Sequence, residues 1–301
     1  MLRILVVLLG MSFWISGCTR DRGPVGSEEN PIKFFFVPSV DTEVIKDTSD
    51  VLKSYLEANT PYKYKISIPP SFIAVVEAFG TNRADVASIN TFGYILAHEK
   101  YGAEALLTVI RHGESTYKAQ FLAKKDSKIN TLADFEGKKI AFVDPASTSG
   151  YLLPLKILKE KGIKPKETTF AMRHDNVISM IYQGQVDGGA TFYSPPSDGK
   201  IQDARRLVKV QYPDVEEQIK ILELTPPIPN DPIIFRKELP PEVKTKIVQA
   251  LMEFVKTTKG QDVLQKLSSV TGLIPATDKD YDPVRQMLTE LGKSASELVK
   301  K

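Results

Sequence analysis

The stretch KIAFVDPASTSGYLLP, residues 139–154, decides the fold class of this chain. Residues 139–143 form an apolar run typical of a buried strand, and residues 151–161 have the pattern of a helix. Between them stand three consecutive hydroxyl residues, Ser147, Thr148 and Ser149. The first N–H groups of a helix have no partner within the helix, and the peptide dipoles add about half a positive charge there. Hydroxyl and N–H groups that converge at such a turn are typical of an anion-binding site.

Strand-like and helix-like segments alternate on both sides of this stretch. Before it, the sequence predicts strands over residues 32–37, 64–68 and 85–89, with helices over residues 48–58, 72–79 and 91–101. After it, the sequence predicts a strand over residues 168–172, a helix over 176–183 and a strand over 186–192. This alternation predicts an α/β fold with a mostly parallel sheet.

The two sets of segments share a weak internal similarity. The sequence NRADVAS at residues 82–88 resembles GQVDGGA at residues 184–190. We therefore predict two lobes, the first made of residues 32–120 plus 233–301 and the second of residues 121–232. Extended crossings near residues 117–123 and 219–236 would join them, and residues 240–301 are predicted to be helical. Two lobes joined in this way enclose a cleft that closes by hinge motion.

The N-terminus has the pattern of a targeting segment. Arg3 precedes a run of apolar residues over positions 4–15, and ISGC at residues 15–18 follows it. A run of about a dozen apolar residues is short for a membrane span, which needs about 20. We predict a lipoprotein signal peptide over residues 1–17, lipidation of Cys18 and a flexible tether over residues 18–31. An uncleaved anchor helix is the alternative.

Composition excludes several kinds of protein. Cys18 is the only cysteine, so the chain has no intrachain disulfide, and three scattered histidines do not make a zinc site. The formal charge of +3 argues against a nucleic-acid partner, which requires a basic stripe. The sequence lacks the Gly-x-Ser-x-Gly, P-loop and Gly-x-Gly-x-x-Gly patterns. We therefore expect a binding protein with no cofactor or metal rather than an enzyme.

Four motifs in a fixed order resemble a known family. They are DPASTSG at residues 144–150, HD at 174–175, GQVD at 184–187 and PIPNDP at 227–232. Together they resemble the phosphate-, phosphite- and phosphonate-binding lipoproteins of ABC importers, from about residue 32 to about residue 288. The resemblance implies a two-lobed periplasmic binding protein of type II-like fold, with two hinge crossings.

The same resemblance implies a function. Such a monomer, anchored outside the cytoplasm by its lipid, captures a small phosphorus oxyanion in the cleft and delivers it to an ABC permease. The alternative is a lipoprotein of the same fold that senses another oxyanion and is coupled to a membrane receptor.

The resemblance also assigns ligand residues. It implies that Ser147, Thr148 and Ser149 bind phosphonyl oxygens, although Ser147 or Ser149 could instead cap the helix. His174 corresponds to a ligand histidine, expected at a loop tip before an N-cap Asp175 and protonated, so that it donates a charge-assisted hydrogen bond.

The remaining four positions lie in other parts of the chain. Tyr117 corresponds to a tyrosine that reaches the ligand from the first crossing. Asp231 corresponds to a hinge aspartate, which accepts a hydrogen bond from a P–OH group or an amine. Phe72 and Ser194 depart from the family, because aminophosphonate binders have a tyrosine and a glutamate there. The resemblance therefore supports oxyanion binding and leaves the substituent on the oxyanion open.

Overall fold

The computed structural model describes residues 23–197 and 199–290, in which strands and helices alternate as predicted. The strands are β1 (Ile32–Phe36), β2 (Tyr64–Ser67), β3 (Val86–Ser88), β4 (Glu104–Arg111), β5 (Thr116–Lys124), β6 (Lys139–Phe142), β7 (Glu167–Phe170), β8 (Gly188–Tyr193), β9 (Ile219–Leu224), β10 (Ile228–Pro229), β11 (Pro232–Phe235) and β12 (Val270–Pro275). The helices are α1 (Thr42–Asn59), α2 (Phe72–Gly80), α3 (Thr91–Tyr101), α4 (Leu153–Glu160), α5 (His174–Tyr182), α6 (Val215–Gln218), α7 (Pro241–Phe254), α8 (Thr258–Ser268) and α9 (Asp282–Glu290). The predicted signal peptide, Cys18 and residues 19–22 of the predicted tether lie outside the described residues.

The strands form two sheets, which define a first and a second lobe. The first sheet has the order β12-β4-β11-β3-β1-β2, and the second has the order β10-β5-β8-β6-β7 with β9 paired to β5. Strand β1 runs parallel to β2 and β3, and β6 runs parallel to β7 and β8. The two-lobed α/β prediction is confirmed.

The expectation of mostly parallel strands is wrong, because both sheets are mixed. The chain leaves the first sheet after β4 and returns as β11, which inserts antiparallel between β3 and β4. Strand β5 is likewise antiparallel to β8, β9 and β10. The tail is also not wholly helical. Ser269 ends α8 in the left-handed conformation (φ 55°), and the following strand β12 pairs with β4.

The two crossings lie side by side. Residues 112–115 join β4 to β5, and Asn230 and Asp231 join β10 to β11. Asn230 is fully buried; its backbone N–H donates to the Ser115 carbonyl (2.9 Å) and its Nδ2 to the Glu114 carbonyl (2.8 Å). The predicted lobe boundary at residue 120 falls inside β5, all of which pairs within the second sheet. The predicted division of the chain stays a prediction.

Alternation along β1 explains how the first sheet is covered on both faces. Phe34 and Phe36 face a cluster that includes Leu52 of α1 and Phe254 of α7, whereas Phe35 faces the cluster that includes α2 and α3. Each buried phenylalanine contributes about 1.5–3 kcal/mol. Helix α3 is buried along residues 91–97, as expected for a helix that is apolar on all sides. This packing fixes its N-terminus at the second lobe.

Candidate functional site: a closed cleft between the lobes

A cavity of about 590 Å³, including its mouth, lies between the two lobes. The residues around it are Val37, Ser39, Val40, Phe72, Asn90, Arg111, Tyr117, Ser147, Ser149, His174, Phe192, Ser194 and Asp231. Every ligand residue predicted from the sequence is among them except Thr148. The volume is within the range of small-molecule sites.

The loop after β6 presents Ser147 and Ser149 to the cavity. Ser147 Oγ accepts a hydrogen bond from the Gly150 N–H (3.0 Å), so this side chain caps the turn and still has its own hydrogen to donate. A Cβ on Gly150 would lie 2.3 Å from Val143 Cγ2, so only glycine fits there.

The helix after this loop begins later than predicted. Residues Thr148–Leu152 form a wide π-helical turn, and α4 starts at Leu153 with Pro154 in its first turn. Proline is tolerated there because a first-turn N–H has no partner within the helix.

Thr148 points away from the cavity and joins the lobes. Its Oγ1 accepts hydrogen bonds from Asn90 Nδ2 (3.1 Å) and from the Phe92 N–H (3.0 Å). Asn90 Nδ2 also donates to the Ala146 carbonyl (2.8 Å). Sequence reasoning missed Asn90, whose position before α3 has the appearance of an ordinary helix cap. Its side chain makes no capping hydrogen bond and reaches the other lobe instead.

Further contacts cross the cleft. The His174 N–H donates to the Ser39 carbonyl (3.2 Å), and Arg173 lies 3.4 Å from Asp41. Burial raises the pKa of Asp144, and the backbone N–H groups of Ala146 and Phe72 oppose that rise. Because Phe72 belongs to the first lobe and Asp144 to the second, the structure represents the closed form.

His174 corrects two expectations. It is the first residue of α5 rather than a loop tip, and Asp175 lies in the first turn, where it pairs with Arg173 (2.8 Å), rather than at the N-cap. Burial lowers the pKa of His174 to about 3, so the ring is neutral at pH 7. The expected imidazolium is wrong because the ring is packed between the lobes against Phe192, at 4.9 Å between ring centres.

The neutral ring still has a donor. The Phe192 N–H donates to His174 Nδ1 (3.4 Å), which assigns the ring hydrogen to Nε2.

Tyr117 is buried at the start of β5, and burial raises the pKa of its phenol. A hydrogen bond with Ser149 opposes that rise and joins the two hydroxyl groups at the cavity wall. The tyrosine is therefore neutral and can donate to an anion. Phe72 and Ser194 are also buried in the wall, and with Val40 and Phe192 they make part of it apolar.

Arg111 is a cavity residue that the sequence analysis did not identify. Its Nη2 lies 2.6 Å from Asp231 Oδ2, and its Nη1 donates to Asn230 Oδ1 (3.1 Å). The guanidinium also lies 5.7 Å from the centre of the Tyr117 ring. The signal was an arginine at the end of the largely apolar strand EALLTVIR, immediately before the first crossing.

Within residues 23–197 and 199–290, no group of histidine, cysteine and acidic side chains converges as a metal site requires. No helix in the same ranges is long and apolar enough to cross a membrane.

A family model described as the periplasmic substrate-binding protein of phosphonate ABC transporters matches residues 34–281. The phosphate-import protein PhnD of Mycolicibacterium smegmatis is 29% identical over 280 residues, which cover 85% of this chain and 84% of that protein. The phosphonates-binding periplasmic protein of Escherichia coli is 24% identical over 272 residues, covering 86% and 76% of the two chains.

Solved structures share the fold. A binding protein component of an ABC phosphonate transporter from Pseudomonas aeruginosa has a TM-score of 0.76 at 21% identity, covering 86% of each chain. PhnD1 from Prochlorococcus marinus, in complex with methylphosphonate, has a TM-score of 0.75 at 17% identity, covering 87% of this chain and 98% of that one. With the match over residues 34–281, these findings show that the chain belongs to the family of periplasmic substrate-binding proteins of phosphonate ABC transporters.

Proposed function

We propose that this protein captures a phosphorus oxyanion (a phosphonate, phosphite or phosphate) in the interlobe cleft and delivers it to an ABC permease. The observation that carries the proposal is the convergence of neutral donors on one closed cavity. Ser147, Ser149 and Tyr117 supply hydroxyl groups, and His174 supplies Nε2–H.

The number of hydrogen-bond donors is sufficient to bind a phosphorus oxyanion. A hydrogen bond to a charged group contributes about 1.5–3 kcal/mol. Four such bonds contribute about 6–12 kcal/mol, which, less several kcal/mol for association and lobe closure, allows a dissociation constant down to about a micromolar. Asp231 fits a ligand with a P–OH group, because a carboxylate only accepts hydrogen bonds.

The relatives carry names that agree with this class of ligand. One is named for phosphate import, one for phosphonates and one for phosphite, and the PhnD1 structure contains methylphosphonate. Phe72 and Ser194 offer neither a phenol nor a carboxylate to an aminoalkyl group, so the proposal favours ligands without an amine.

We also propose that the mature protein is a non-enzymatic monomer held outside the cytoplasm by a lipid on Cys18. The sequence ISGC at residues 15–18 supports lipidation, and membership of a periplasmic family supports the location. Cys18→Ser should move the protein from the membrane fraction to the soluble fraction, and an unchanged distribution would contradict lipidation.

Calorimetry on residues 19–301 tests ligand binding, with phosphate, phosphite, methylphosphonate and sulfate as ligands. We expect at least one phosphorus oxyanion to bind, and Ser149→Ala to weaken it by about tenfold or more, because one charge-assisted hydrogen bond is lost. Ser54→Ala is the matched control, since this exposed hydroxyl on α1 bonds only the Asp50 carbonyl among the described partners. If no phosphorus oxyanion binds the wild type, the proposal fails.

A further inference from the structure

Asp231 is the one carboxylate among the described residues that line the cleft cavity. A ligand with an amino group would need such a carboxylate, because a buried ammonium without a partner is costly. The ability of the site to accept an amine therefore depends on what Asp231 already contacts.

Arg111 already neutralises this carboxylate. The guanidinium is 2.6 Å from Asp231 Oδ2, and only 12% of the Arg111 side chain is exposed. The bond from its Nη1 to Asn230 and the ring of Tyr117 hold the guanidinium on two further sides. An ammonium that approached Asp231 would meet a fixed positive charge on the same carboxylate.

A second arginine makes this corner more positive. Arg206, in the turn Ala204–Val208 of the second lobe, is close enough to Arg111 that the two charges interact. Burial and the charge of Arg111 together lower the pKa of Arg206 to about 10, which leaves it protonated at pH 7. The Asp203 carboxylate, which pairs with Arg205 at 2.8 Å, opposes that fall. Two arginine charges thus interact near the one carboxylate among the described residues that line the cavity, which disfavours an approaching cation.

We propose that Arg111 is a specificity-determining residue of the cleft, which holds Asp231 in an ion pair so that the site takes oxyanions with uncharged substituents and rejects zwitterionic aminophosphonates. This inference rests on the proposed function and adds the chemical class of the substituent. The apolar wall of Val40, Phe72 and Phe192 provides the matching surface for a small alkyl group.

Calorimetry with methylphosphonate and 2-aminoethylphosphonate, two ligands that differ in the amine, tests the proposal. In the wild type, methylphosphonate should bind about ten- to a hundredfold more tightly. Arg111→Gln should raise the affinity for 2-aminoethylphosphonate relative to methylphosphonate by about tenfold or more, because Asp231 becomes available to the ammonium. Adding Asp231→Asn should remove that gain.

Two further variants keep the test decisive. Arg111→Met preserves the apolar stem over Tyr117 and should give the same gain if Arg111→Gln fails to fold. Arg236→Gln is the matched control, because the Arg236 side chain is buried to a similar extent and pairs with Asp85 beside the first sheet, outside the residues that line the cavity. It should leave the ligand ratio unchanged.

The outcomes separate the two proposals. A wild type that binds 2-aminoethylphosphonate as tightly as methylphosphonate, or folded Arg111 variants with an unchanged ratio, would overturn the role of Arg111 while leaving oxyanion capture in place. A wild type that binds no phosphorus oxyanion would overturn the proposed function and this inference with it.

Discussion

Replacing Thr148 by valine should weaken ligand binding because it destabilises the closed state, not because it removes a contact with the ligand. Valine keeps the shape of the side chain but removes the oxygen that accepts from Asn90 Nδ2 and the Phe92 N–H. Thr148 and Phe92 are buried, so the Phe92 N–H would lose its partner without gaining water. Leaving a buried donor unpaired costs about 1–3 kcal/mol. Since that donor is paired only across the closed cleft, we expect affinity to fall about 5- to 150-fold.

Surface plasmon resonance with immobilised protein and calorimetry together give the rate constants and the dissociation constant. The loss should lie in faster dissociation, with the association rate nearly unchanged. Thr148→Ser is the control, because serine keeps the accepting oxygen and should retain most of the affinity. Asn90→Ala combined with Thr148→Val completes a double-mutant cycle, in which the two changes should be coupled by about 0.5–3 kcal/mol. Strictly additive effects would refute the interlobe role and favour direct contact between Thr148 and the ligand.

Three other predictions concern the same cleft. His174 is neutral in the folded protein, where its pKa is about 3, but takes up a proton near pH 6.5 in the unfolded chain, so stability should fall as pH falls. In urea titrations between pH 7 and pH 5, the wild type should lose about 2 kcal/mol more unfolding free energy than His174→Gln. An equal dependence of unfolding free energy on pH in the two proteins would contradict this. Gly150→Ala should destabilise the protein by about 1–3 kcal/mol and weaken anion binding, because the new Cβ would overlap Val143. Gly272→Ala is the control, because a Cβ there would lie 3.4 Å from its nearest neighbour, and it should change neither the thermal melting temperature nor the affinity measured by calorimetry. Ser194→Glu should place a carboxylate in the buried wall of the cavity. In calorimetry, the affinity for methylphosphonate should fall and the affinity for 2-aminoethylphosphonate should rise. Lower affinity for both ligands would show that this wall does not face the substituent.

The features that the sequence predicts well are those set by neighbouring residues. The apolar runs of β1 and β6 and the turn residues after them indicate an α/β chain, and the family motifs place Tyr117 and Ser149 in one site. These features have local causes that can be recognised in the sequence: the alternation of buried and exposed side chains along a strand, glycine at a tight turn and hydroxyl groups at the start of a helix.

The features that the sequence does not predict depend on partners far along the chain. The neutrality of His174 follows from burial between lobes, and the lobe contact of Thr148 needs Asn90, which is 58 residues away. Arg111 meets Asp231 across 120 residues of sequence, where no local pattern connects them. Strand β12 was missed because its pairing with β4 also joins distant segments.

Asn230 links the two crossings by hydrogen bonds. Its backbone and side-chain amides hold the Glu114–Ser115 turn at a fixed separation, so neither crossing can slide along the other. We expect these bonds to permit bending about the line through both crossings and to resist shear and twist between the lobes. Each closing should therefore return Thr148 of the second lobe to the same contacts with Asn90 and Phe92 of the first lobe. The buried amide of Asn230 should thus make closure of the two lobes reproducible over many transport cycles, without a contact with the ligand.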